Sequence, residues 1–130
     1  VGVAAIAGAL IGRPAELPSE TRILYPDLGN VRWRRGGLAV RIAGWCLGQR
    51  SVAAITLWDT VWLAPDTPWS HELLLHELRH VHQFQESAAF PLRYLWETLR
   101  RGYLANRFEV DARAYAARRV RQSHRSTLTG

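Results

Sequence analysis

The density of glycine and proline changes once along this chain, near Trp69, and that change limits the folds open to it. Eight of the ten glycines and five of the six prolines precede Trp69. Both residues interrupt helices, so the first half is confined to short strands and turns, and long helices can only follow it. Four β-leaning runs read as strands: Arg22–Tyr25, Leu38–Ile42, Ala53–Leu57 and Thr60–Leu63. The last two enclose Trp58 and Asp59, the length of a tight hairpin turn. Arg32, Arg34 and Arg35 beside Gly36 and Gly37 read as an exposed turn carrying charge.

Beyond Trp69 the apolar period becomes helical. Ser70 is placed to cap a helix whose Leu74, Leu75, Leu78 and Val81 form one stripe ending near Gln85. Pro91 opens a second helix that Gly102 closes, and Asn106 precedes a third that runs to about Val120. The expected class is α+β: a short N-terminal antiparallel sheet followed by three helices. At 130 residues the chain supports one domain with a modest core. Residues 1–68 read as strand-rich, 69–121 as helical and 122–130 as a frayed tail.

Cys46 is the only cysteine, which excludes an intrachain disulfide and a cysteine-based metal site. A lone thiol fits a reducing compartment, so the cytoplasm is the expected location. The apolar run Val1–Gly12 is shorter than the roughly 20 residues a membrane-spanning helix needs. It reads as core or as an ordered arm, and a trimmed signal or anchor stays open as its origin. Seventeen arginines and no lysine against 11 acidic residues give a net charge of +6, which permits an anionic partner. Arg100, Arg101, Arg107, Arg113, Arg118, Arg119, Arg121 and Arg125 concentrate that charge in the last third. No nucleic-acid-binding motif accompanies them, so nucleic acid is not the expected partner.

The chemistry-bearing segment is His76-Glu77-Leu78-Arg79-His80, an HExxH inside the first long helix. Histidines four residues apart lie on one helix face, a turn apart, where both can bind one Zn²⁺. Glu77 then stands beside the open coordination position as general base, and the metal polarises a carbonyl and makes water acidic. A third ligand must come from elsewhere. Glu86 lies on the same helix about 9 Å further along its axis, too far to close the site. Glu97, Glu109 and Asp111 remain, and Glu109 follows a stretch long enough to fold back over the first helix. Asn106 and Glu109 also have the spacing of a capping box, in which the glutamate serves the backbone. On spacing alone both roles for Glu109 stand. His71 has no histidine four residues on, and His82 points about 120° away from the His76 face. Both read as surface residues or as neighbours of the ligands. Gln83, seven residues after His76, can line the same stripe.

Three segments in order resemble small bacterial gluzincin-type HExxH domains. They are Ala54-Ile55-Thr56-Leu57-Trp58-Asp59-Thr60-Val61-Trp62-Leu63, then His76 to Gln83, then Asn106-Arg107-Phe108-Glu109-Val110-Asp111-Ala112. The resemblance covers Ala53 to Tyr115 and implies a zincin-like fold with His76, His80 and Glu109 as zinc ligands and Glu77 as base. It also implies Tyr103, six residues before Glu109, as the hydroxyl facing the carbonyl oxygen, with Tyr115 as the other candidate. Packing between helices is the competing role for both tyrosines. Many such domains carry an aspartate four residues after the glutamate ligand, and here that position is Arg113. The implied function is a zinc-dependent metallopeptidase acting on a peptide or protein. Its substrate would add along a strand of the Ala53–Leu63 hairpin; Trp58, Trp62 and Trp69 read either as walls of that groove or as core or interface packing. The alternative is a noncatalytic zinc-binding domain whose arginines bind an anionic partner.

Overall fold

The structure is a computed structural model and describes residues 2, 3, 6, 10–41 and 53–129. Ile42, Cys46, Gly130 and much of Val1–Gly12 lie outside the described residues. The chain is α+β and divides into two compact units, Val1–Trp69 and Ser70–Gly130. The division falls where the glycine and proline content changes.

In the first unit, β1 (Arg13–Pro14), α1 (Ser19–Leu24), a 3₁₀ turn (Pro26–Asn30), β2 (Arg32–Arg35), β3 (Ala54–Leu57) and β4 (Thr60–Leu63) follow in chain order. The sheet order is β1-β2-β4-β3. β3 and β4 form the expected hairpin, with Leu57 opposite Thr60 and Trp58 taking φ 55° in the two-residue turn. The sheet is mixed, not antiparallel, because β2 lies parallel to β4 with Trp33 opposite Val61. β2 is the segment expected as a charged turn. Its charges hide a strand's alternation: Arg32 is exposed while Trp33 is buried, and the Arg35 guanidinium is satisfied by the Ala64 and Thr67 carbonyls and the Trp69 ring.

Two other expected strands are helical. Arg22–Tyr25 falls mostly within α1, where the Pro18 carbonyl accepts from the Arg22 amide and Thr21 from Tyr25. Residues 38–41 are also helical. Runs of four or five apolar-rich residues are too short to separate a period of 2 from one of 3.6. Leu28, Val61 and Leu63 are fully buried, Trp33 donates to the Leu28 carbonyl at 2.8 Å, and Trp69 packs edge-on against Trp33. Trp62 donates to the Ile11 carbonyl. Gly12 (φ +73°) and Gly37 (φ +99°) meet backbone to backbone: a Cβ on Gly12 would lie 2.7 Å from the Arg35 carbonyl oxygen.

The second unit is three helices, α2 (His71–Glu86), α3 (Phe90–Arg101) and α4 (Arg107–Thr129). The Ser70 hydroxyl accepts from the Leu73 amide and starts α2, whose Leu74, Leu75, Leu78 and Val81 are buried. Gly102, at φ 79°, ends α3. Phe90 is gripped between Phe84 and Phe108 with ring centroids 4.6 and 5.0 Å away. Ala112 and Ala116 are fully buried on α4, where small side chains allow close helix approach. α4 runs on to Thr129, so the tail expected to fray from residue 122 is helical. No glycine or proline interrupts 107–129, and the Ser126 and Thr127 hydroxyls fold back onto the Gln122 and Ser123 carbonyls. Among the described residues, no helix is long and apolar enough to cross a membrane.

Candidate functional site

α2 and α4 meet on the face that carries both histidines of HExxH. Their spacing of four stacks the imidazoles one turn apart, 4.9 Å between ring centroids and 3.2 Å between the Nε2 atoms. Glu109, in the first turn of α4 and 2% exposed, enters opposite them. Its Oε2 lies 2.9 Å from His76 Nε2, and its Oε1 lies 3.0 Å from His80 Nε2. One ligand atom from each of the three residues lies within 4.8 Å of the others, a set that could hold a metal ion.

Where the Glu109 carboxylate points excludes the cap role for it. Asn106 does cap α4, its Oδ1 accepting the Phe108 amide at 2.8 Å. Its own amide, however, donates to the Tyr103 carbonyl, and the Glu109 carboxylate is turned toward the histidines. Neither reciprocal bond of a capping box is made.

A further polar layer orients these groups. His80 Nδ1 donates to Gln83 Oε1 at 2.8 Å, and Gln83 Nε2 donates to the Phe108 carbonyl and to Asp111 Oδ2. Asp111 also accepts from Arg79 Nε at 2.6 Å. Asp111 therefore reaches His80 through Gln83, and Arg113 is occupied elsewhere, donating to the Leu104 carbonyl. Tyr94, on the inner side of α3, donates to Glu109 Oε1 at 2.7 Å. The sequence reading missed Tyr94, because nothing in a spacing of fifteen residues across a helix break marks it. Tyr103 lies in the turn after Gly102, where the charges of Glu109 and Glu77 act on its hydroxyl. Tyr115 instead packs against His82 and under the Arg118 and Arg119 guanidinium groups.

The electrostatics follow from burial against close partners. Burial opposes charge on Glu109, but donors from His76, His80 and Tyr94 outweigh it and hold the carboxyl well below the usual carboxylate range. Burial likewise opposes charge on His80, yet the Glu109 hydrogen bond and the negative charges of Glu77 and Glu109 push it up to about 9. Tyr94 is raised by burial and by Glu109, and Tyr103 is pushed up to about 12 by burial, Glu109 and Glu77. Both phenols remain proton donors at neutral pH. Glu77, 6% exposed, exerts its charge on His80, Tyr94 and Tyr103, which puts its carboxylate beside the cluster.

The other candidate acids lie away from the histidines. Glu97 is buried and faces Arg101 and Arg107, and Glu86 pairs with Arg79. The arginines of the last third are partly engaged within the unit: Arg101 and Arg107 by Glu97, Arg113 by a carbonyl, and Arg118 and Arg119 by Tyr115.

Neither the curated proteins nor the solved structures yielded a match to this chain. A protein-family model, that of the eCIS (extracellular contractile injection system) core domain, matches residues 19–88. This finding overturns the resemblance to gluzincin-type peptidase domains. That resemblance rested on three short segments, and an HExxH helix with a hairpin before it is a local pattern compatible with more than one family. The matched span contains His76, Glu77, His80 and Gln83 and stops before Tyr94, Tyr103 and Glu109. With more than half of its residues matched, this chain belongs to the eCIS core domain family.

Proposed function

We propose that the second unit is a zinc-dependent hydrolase of peptide bonds, zincin-like in the way one helix supplies HExxH and a later helix supplies the third acid. The observation that carries this reading is the convergence of His76, His80 and Glu109 with the buried Glu77 beside them. The donor chemistry suits zinc: two imidazole nitrogens and one carboxylate oxygen, with no fourth protein group required. Ligand atoms about 2.0–2.1 Å from a tetrahedral ion are about 3.3 Å apart. The His76 Nε2–Glu109 Oε2 and His76 Nε2–His80 Nε2 contacts here, 2.9 and 3.2 Å, need to open only slightly. Gln83 on His80 Nδ1 is the kind of outer partner that fixes a metal-binding histidine's tautomer.

A zinc ion at these residues would supply Lewis acidity, polarising a carbonyl and making water acidic. The chain's own groups do the rest. Glu77 accepts the proton from the attacking water and returns it to the leaving amine. Tyr103 donates to the oxygen on which negative charge develops, and Tyr94, held in α3, positions Glu109. The lone Cys46 suits a reducing compartment, and we place the activity in the cytoplasm.

The test is elemental analysis of protein purified without added metal, followed by hydrolysis of an unstructured protein substrate. About one zinc per chain is expected in both the wild type and Glu77→Gln, with cleavage abolished in the variant. No zinc after reconstitution, or cleavage by Glu77→Gln at the wild-type rate, overturns the proposal.

A further inference from the structure

Helix α3 is packed with its polarity reversed. Its inner side carries Tyr94, Glu97 and Thr98 beside Phe90, with Glu97 buried to 4%. Its outer side carries Leu92, Leu95, Trp96 and Leu99, which are 73%, 55%, 60% and 74% exposed. Those four stand at i, i+3, i+4 and i+7, a continuous apolar stripe about 100° wide opposite the packed face. A helix that only completed a core would turn this stripe inward, so the sequence of α3 is arranged for something outside the unit.

Charge identifies the occupant. Arg93 and Arg100 are exposed along one border of the stripe, and the only acid on α3 is the buried Glu97. An antiparallel second copy of this face would bring like charges together across a two-fold axis. The stripe is also small: a 12-residue helix is about 18 Å long, and a strip about 10 Å wide along it falls far short of the ~800 Å² per partner of a stable protein interface. An anionic lipid surface imposes no such size requirement. Leucines and a tryptophan partition into the acyl boundary while bordering arginines reach the headgroup phosphates. We infer that the Leu92–Leu95–Trp96–Leu99 face of α3 seats this protein on anionic membrane surfaces, lying in the interface without crossing it.

The experiment is co-sedimentation of the full chain with vesicles of phosphatidylcholine alone and of phosphatidylcholine with phosphatidylserine, at low and high salt. Binding to the serine-lipid vesicles that weakens as salt rises is expected. Arg93→Gln with Arg100→Gln should weaken it about 30-fold. Leu92→Gln with Leu99→Gln should weaken it at least about tenfold, and both positions are exposed enough to leave circular dichroism unchanged. As an independent reading, the wild type should show a blue-shifted emission component on vesicles that Trp96→Phe lacks. Absence of wild-type binding, or equal binding by the leucine variant, overturns the inference. So does a dimer in sedimentation velocity that the leucine variant dissolves without any vesicle binding, which would assign the stripe to a second copy.

Discussion

Asn106 carries more of the second unit than its size suggests, and substituting it tests how the site is held. It is fully buried between the end of α3 and the start of α4. Its Oδ1 accepts the Phe108 amide, while Nδ2 donates to the Tyr94 carbonyl at 3.1 Å and the Thr98 hydroxyl at 2.9 Å. Loss of the N-cap is worth about 1 kcal/mol. The two buried bonds from Nδ2 add about 1 kcal/mol each. Asn106→Ala should therefore cost about 3 kcal/mol, a fall in Tm of about 10–15 °C. Asn106→Ser keeps a capping oxygen and loses the Nδ2 bonds, so it should cost about 2 kcal/mol. Urea unfolding followed by far-UV circular dichroism reads this unit, because α2, α3 and α4 hold most of the described helix. The midpoint should fall in that order at constant m. Equal losses for Ala and Ser would remove the cap from the reasoning, and a loss below about 1 kcal/mol for Ala would refute the bridging role altogether.

Gly12→Ala forces a side chain into a left-handed backbone 2.7 Å from the Arg35 carbonyl, and should destabilise the first unit by about 2–3 kcal/mol. Gly29→Ala meets nothing within 4 Å and should change stability by less than about 0.5 kcal/mol. Thermal melts by tryptophan fluorescence compare the two, since five of the six tryptophans precede Ser70. Given the proposed zinc site, Gln83→Leu should lower metal affinity about 10- to 100-fold in a chelator competition, through loss of the His80 Nδ1 partner. Unchanged affinity would separate Gln83 from the site. Stripping metal with a chelator should leave the far-UV spectrum unchanged, because Glu109 keeps donors from His76, His80 and Tyr94. Unfolding on chelation would mean that these bonds do not hold α2 and α4 together.

What could be read from the sequence was whatever a single local period or cap controls. α2 is a strong apolar stripe behind a serine cap, the hairpin is two β-rich runs around two residues, and Gly102 stops α3 with a left-handed φ. β2 could not be read this way. Three arginines in four residues argue for solvent, and only the tertiary structure supplies the carbonyls and the Trp69 ring that receive Arg35. The six-residue α1 falls below the length at which periodicity speaks, and the end of α4 has no stop signal to place it.

The site divides along the same line. His76, Glu77 and His80 are legible because one helical turn relates them, whereas Glu109 has two roles at its spacing that only a folded α4 can separate. Asn106 excludes one of them, the cap. By capping α4 through its own oxygen while its backbone amide bonds Tyr103, it removes the task a capping box would give Glu109. Its Nδ2 meanwhile bonds the Tyr94 carbonyl in α3, and the hydroxyl of that same tyrosine donates to Glu109. One buried amide thus frees the carboxylate from the helix terminus and fixes the tyrosine that holds it. A motif search centred on HExxH does not see this residue, yet the direction in which Glu109 points depends on it.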